Sequence, residues 1–202
     1  MFVQVIQGRV ADEAGMRAHV ERWAVDIGAG ATGWLDSTAG VTADGKTVAM
    51  VRFASQEAAA ANSERPEQGV WWGTMEGFFE GEPTFQNCTL VEHDQYGDLG
   101  SAGFVQVMQG QVSDIDRVRS LMSDDSIDWP TLRPDILGTL WAGTADGAWS
   151  MAIYFTSEAA AREGEQSQMP PEVEAQLAEL NSLSVGEPSF FDFRDPWLMS
   201  AT

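Results

Sequence analysis

The chain is poor in the residues from which most active sites are assembled. Its 202 residues hold one cysteine, two histidines and, among 11 basic side chains, a single lysine, Lys46. Cys88 alone cannot form a disulfide within the chain, so a buried thiol is expected, with the cytoplasm as the default compartment. His19, His93 and that cysteine are too few for a zinc site of the usual nitrogen and sulfur ligands. Gly-x-Gly-x-x-Gly, P-loop and Gly-x-Ser-x-Gly patterns are all missing, which leaves dinucleotide, nucleotide and ordinary serine-hydrolase chemistry without their motifs. No apolar run approaches the roughly 20 residues needed to span a bilayer. No basic segment followed by an apolar stretch marks a signal peptide. Positive charge is scarce throughout, with 31 acidic residues giving a formal net charge of −20. Such a surface repels phosphate backbones and anionic lipid, so neither nucleic acid nor a membrane is expected as a partner.

What is present is a duplication. Phe2-Val3-Gln4-Val5-Ile6-Gln7-Gly8 returns as Phe104-Val105-Gln106-Val107-Met108-Gln109-Gly110. Further along, Asp12 matches Asp114, Thr42-Ala43-Asp44-Gly45 matches Thr144-Ala145-Asp146-Gly147, and Gly81-Glu82-Pro83 matches Gly186-Glu187-Pro188. The spacing lengthens slightly from the first pair of blocks to the last, so small insertions sit between anchored blocks. A repeat of about 100 residues is a whole domain, not the short unit of a solenoid. The sequence therefore divides into copy 1 at 1–92, an acidic, glycine-bearing linker at 93–103 and copy 2 at 104–202.

Each copy reads as the same series of elements. A strand (Phe2–Gln7, Phe104–Gln109) ends at glycine. A helix capped by Asp12 or Asp114 follows, with Met16, Val20, Trp23 and Ile27 on one face of the first and Val118, Leu121 and Met122 on the second. Ala-Asp-Gly then turns into the strands Thr47–Phe53 and Trp149–Phe155, paired with strands around Gly33–Ser37 and Gly138–Ala142. Ser55 and Ser157 cap Ala-rich helices. A third helix is expected over Gln68–Phe79, less regular for its glycines, and from Pro171 through Leu183. Strands at Thr84–Val91 and Ser189–Arg194 close the units. The order β-α-β-β-α-(α)-β is ferredoxin-like, an α+β fold with helices on one face of an antiparallel sheet. The other face, expected to carry Met50, Phe85 and Phe190, should be buried against the second copy.

This arrangement resembles the dimeric α+β barrel superfamily, which includes antibiotic-biosynthesis monooxygenases and haem-degrading monooxygenases. The resemblance implies two tandem ferredoxin-like domains forming a pseudo-dimeric barrel within one chain. It also implies cofactor-independent oxygenation of an aromatic or polyketide-like substrate. In haem-degrading members a first-strand amide, a tryptophan and an axial histidine make the site. Gln4 falls near the amide position, but no histidine follows on the helix carrying Trp71 and Trp72. No metal, haem or flavin is expected.

Eight tryptophans are heavy usage for this length. Alignment of the third helices puts Trp72 on Leu177 and Met75 on Leu180, both core positions, and Trp71 on Gln176. An aromatic at that polar position serves either packing or a pocket. His19 borders the apolar stripe and matches Leu121, so it reads either as a packed flank or as the one histidine placed to act as a base. Copy 2 carries Leu121, Asp125, Gln176 and Leu177 where copy 1 has His19, Trp23, Trp71 and Trp72. A site for a small apolar or aromatic molecule is therefore expected in copy 1, from Gln4, Trp23, Trp71 and Trp72, with His19 as its candidate catalytic group. Leu121, Leu177 and Leu180 should close the same space in copy 2. The competing reading is a binding module that kept the fold without chemistry.

Overall fold

The computed structural model describes residues 1–124 and 126–201. In chain order the elements are β1 (Phe2–Arg9), α1 (Glu13–Asp26), β2 (Trp34–Val41), β3 (Lys46–Phe53), α2 (Gln56–Ser63), α3 (Pro66–Met75), β4 (Thr84–Cys88) and β5 (Leu90–Gln95). There follow β6 (Phe104–Val112), α4 (Ile115–Met122), α5 (Trp129–Leu132), β7 (Ile136–Gly143), β8 (Ala148–Phe155), α6 (Glu158–Glu165), α7 (Pro171–Leu183), β9 (Ser184–Phe193) and β10 (Trp197–Ser200). They build two five-stranded sheets, ordered β10-β2-β3-β1-β4 and β5-β7-β8-β6-β9. Both are ferredoxin-like sheets with one additional edge strand.

Local sequence explains most of these boundaries. The Asp12 carboxylate accepts from the Gly15 amide and Asp114 from the Arg117 amide, so α1 and α4 begin where the caps are. Ser55 and Ser157 accept from the amides of Ala58 and Ala160 in the same way. The two hairpin turns need a left-handed residue, and Gly45 and Gly147 supply it at φ of 79° and 91°. α3 starts two residues before its expected position because Pro66 seats its first turn, and it gives way at Met75 to a short 3₁₀ turn, Glu76–Phe78.

The chain divides into two units that are discontinuous in the repeats. One comprises Met1–Thr89 with the chain from Phe191 onward; the other is Leu90–Phe190. The strand expected over Thr84–Val91 is interrupted at Thr89. β4 pairs with β1, whereas β5 pairs with β7, with Glu92 opposite Trp141. The segment 93–103, expected to be a linker, thus opens inside a strand. At the far end β10, which no repeat block anticipated, pairs with β2, with Trp197 opposite Ala39.

In the first unit, Met16, Val20 and Trp23 of α1 pack with Phe2, Ala39, Phe53 and Met75 on the helix side of the sheet. The opposite face is buried too: Val3, Val48, Met50 and Cys88 are fully inaccessible. Phe85 and Phe190 depart from the expected alternation. They remain 49% and 57% exposed. Phe85 pairs in register with Ile6 and meets Trp72, so it belongs to the helix side. In the second unit Val112, Val118 and Trp141 form a core cluster with Leu180 and Leu183 packed on it. No helix among the described residues is long and apolar enough to cross a membrane.

Candidate functional site: an aromatic cavity in the first unit

A cavity of about 300 Å³ lies between the sheet of the first unit and helices α1 and α3. Its lining includes four of the five expected site residues, Gln4, Trp23, Trp71 and Trp72. The sheet supplies the floor through Ile6, Ala39, Thr47 and Ala49, all on the helix-facing side. α1 adds Met16 and Val20, α3 adds Gln68 and Met75, and the C-terminal strand closes one side with Trp197 and Met199. The size and apolar character match those of small-molecule pockets.

The tryptophans are fixed by contacts among themselves. Trp23, 7% exposed, meets Trp34 edge-on at 4.8 Å between ring centres and Trp71 at 6.5 Å. Trp71 is 6.2 Å from Trp72, which continues to Phe85 at 5.1 Å. Edge and tilted arrangements at these separations are those favoured by ring quadrupoles. The indole N–H groups of Trp23, Trp34 and Trp72 are occupied. Trp23 donates to Gln68 Oε1 at 2.7 Å, Trp34 to Ser37 Oγ at 2.9 Å, and Trp72 to Glu76 Oε1 at 2.7 Å.

His19 does not line the cavity. Its ring stacks on Trp71 at 4.7 Å with 8° between planes, and Phe78 lies on it at 5.6 Å. His19 Nε2 is 3.0 Å from the Trp71 carbonyl oxygen, which can only accept, so this nitrogen carries a proton. In return the Trp71 indole N–H donates to the His19 carbonyl at 3.3 Å. The arrangement holds an aromatic side chain in place. It does not aim a base into the cavity.

The second unit keeps half of this clamp. Gln176 Nε2 donates to the Leu121 carbonyl at 2.8 Å, the position-for-position equivalent of Trp71 donating to His19. The register read from the repeats is therefore the structural one at α1/α4 and α3/α7. Leu177, expected in the core, is 43% exposed instead. Asp125, matched to Trp23, lies outside the described residues.

The polar part of the lining is neutral: Gln4, Ser37, Thr47, Asn62, Ser63 and Gln68. Gln4 donates to Asn87 at 3.2 Å, and Arg65 donates to Asn62 Oδ1 at 2.9 Å from outside the lining. No ionisable side chain lines the cavity, and no group of three His, Cys, Asp or Glu suited to a metal ion occurs among the described residues. What the site offers is shape, aromatic surface and amide or hydroxyl hydrogen bonds.

Sequence reasoning missed the floor, Asn62, Gln68 and the C-terminal strand. The floor residues were legible as the alternate positions of β2 and β3, but smallness there draws no notice until one sees what it leaves empty. For Trp197 the signal was the apolar run Trp-Leu-Met after Pro196. The strand is held by Arg17 of α1, which pairs with Asp195 and, at 2.9 Å, with Glu21. The Asp195 bond, then that to Glu21, raises the affinity of the Arg17 guanidinium for its proton.

Fold and cavity together define the protein as a tandem ferredoxin-like chain with a hydrophobic, aromatic-lined cavity in its first unit. No family model matches the sequence, and no curated protein matches it. Among solved structures it is similar to a proposed monooxygenase of Lactobacillus acidophilus NCFM, at 11% identity and a TM-score of 0.76, over 98% of this chain and 95% of that one. A proposed monooxygenase of Fusobacterium nucleatum matches equally well, at 10% identity and TM-score 0.76, over 98% and 94%. An anthrone oxidase-like protein matches at 10% identity and TM-score 0.64, over 99% and 91%. At such identities the likeness is one of fold.

Proposed function

We propose that the first unit binds a small, mainly apolar aromatic molecule between sheet and helices, and that the reaction is oxygenation of that molecule without a bound cofactor. The observation that carries the reading is the aromatic cavity itself, with Trp23, Trp71, Trp72 and Trp197 around a floor of small residues. Names of full-length neighbours as monooxygenases and as an anthrone oxidase-like protein support the reaction class. For an anthrone the balance is simple. One atom of O₂ becomes the new carbonyl oxygen, and the other leaves as water with the two hydrogens of the methylene carbon. Because the lining holds no ionisable group, the substrate loses its acidic C–H proton to solvent and binds as the enolate, whose electron-rich carbon meets O₂. The protein's part is to hold the ring flat, exclude water and offer amide hydrogen bonds to the oxygen substituents. His19 acts here as a positioning residue for Trp71.

The absence of an ionisable group from the lining equally favours a second reading, a binding protein with no chemistry. One experiment separates them. Anthrone titrated into the protein should quench tryptophan fluorescence saturably, and under air should be converted to anthraquinone with equimolar O₂ uptake faster than in buffer. Quenching without added turnover selects the binding protein. No quenching by anthrone or other fused-ring aromatics refutes both.

A further inference from the structure

The cavity exists because three floor positions carry small side chains, and the second unit shows what happens when they do not. Paired rungs identify the equivalents without ambiguity. Ala39 faces Ala49 across β2 and β3, as Trp141 faces Met151 across β7 and β8. Thr47 lies opposite Gly8 of β1, as Trp149 lies opposite Gly110 of β6. The three substitutions all point to the helix side of their sheet. Trp141, 2% exposed, sits in the cluster with Val118 of α4, and Trp149, Met151 and Leu180 pack against it. Two indoles and a thioether thus occupy in the second unit the space above the floor that stands open in the first.

Trp149 is placed there for its bulk and not for a hydrogen bond. Its indole nitrogen is buried and has no partner among the described residues, a costly state for a donor. Its ring lies against Gly110, where a Cβ would be 3.0 Å from the indole. An indole packed between the sheet at Gly110 and the cluster around Val118 fills the place that a flat ligand would take on Ala39 and Ala49.

We infer that Ala39, Thr47 and Ala49 are the specificity-determining residues of the site, and that the second unit is a copy of the same site filled by its own side chains. Resting on the binding proposed above, this adds the ligand's shape and position. The ligand is a fused-ring molecule about the size of the paired indoles, lying flat on the β2–β3 floor beneath α1 and α3.

The test uses 1-aminoanthracene, a fused-ring fluorophore that brightens in apolar surroundings, and the full chain. Wild type should bind about one probe, and Ala39→Trp should weaken binding by roughly tenfold or more, because an indole fills the floor as it does in the second unit. In the opposite direction, Trp141→Ala/Trp149→Thr/Met151→Ala should raise the stoichiometry to about two, since cavities left by large apolar side chains accept flat apolar molecules. If that triple variant does not fold, Ala39→Trp alone decides, read beside an unchanged cooperative melting profile. Undiminished binding by folded Ala39→Trp overturns the inference while leaving the aromatic site in place. Wild type that binds no fused-ring probe overturns the site itself.

Discussion

Replacing Trp71 with alanine tests the cavity and its scaffolding together, and the duplication provides an internal control. Trp71 lines the cavity, and its ring stacks on His19. If roughly 50 Å² of ligand surface lies on that indole, its loss costs about 1.3 kcal/mol of transfer free energy, to which an aromatic contact adds about 0.5–1 kcal/mol. Together these amount to about 2 kcal/mol, or roughly thirtyfold in Kd. Stability should fall as well. A half-buried tryptophan and a hydrogen bond to the His19 carbonyl are removed, worth about 2–3 kcal/mol and roughly 5–10 °C in melting temperature for a chain of this size. Gln176→Ala breaks the equivalent bond to Leu121 in the second unit, so it should lower the melting temperature slightly and leave binding unchanged. Trp71→Phe should keep part of the affinity, since one aromatic ring remains while the pyrrole ring and its N–H bond to the His19 carbonyl are lost. Fluorescence titration with a fused-ring aromatic and a thermal melt supply both readouts. The reasoning fails if Trp71→Ala binds within about twofold of wild type, or if Gln176→Ala weakens binding as much.

Three further outcomes are expected. Ending the chain after Arg194 removes Trp197, Met199 and the edge strand on β2; ligand quenching should be lost, and retention of full affinity would show that β10 is not part of the site. His19→Phe keeps a ring stacked on Trp71 and removes only the Nε2–H bond. It should change affinity by no more than about fivefold, the scale of one neutral hydrogen bond of about 1 kcal/mol, whereas a fall in turnover of about a hundredfold or more would restore His19 as a base. Trp141→Ala removes a fully buried indole from the second unit and should cost about 3–5 kcal/mol of stability. It should leave the affinity of the first-unit site nearly unchanged, as should Trp149→Ala; a large loss of that affinity in either variant would show that the site draws on the second unit.

The repeats, read by themselves, determined the two-fold series of elements, because capping, turn and period signals are local and are written twice. Asp12 and Asp114, Gly45 and Gly147, and Ser55 and Ser157 each do the same backbone work wherever the strands go. Local text also placed Trp23 and Trp71 on facing helices, since helical spacing and the matched blocks fix which side of each helix they occupy. Tertiary structure alone decided where β5 and β10 pair, because an edge strand takes its partner from the nearest open sheet edge and not from its own sequence. It also decided that His19 supports Trp71 from behind, a difference of one helix face in the direction of a side chain. The cavity is the clearest case. Ala39, Thr47 and Ala49 are unremarkable letters in a strand, and only their pairing across β2 and β3, set beside Trp141, Trp149 and Met151 in the second unit, turns small side chains into space for a ligand.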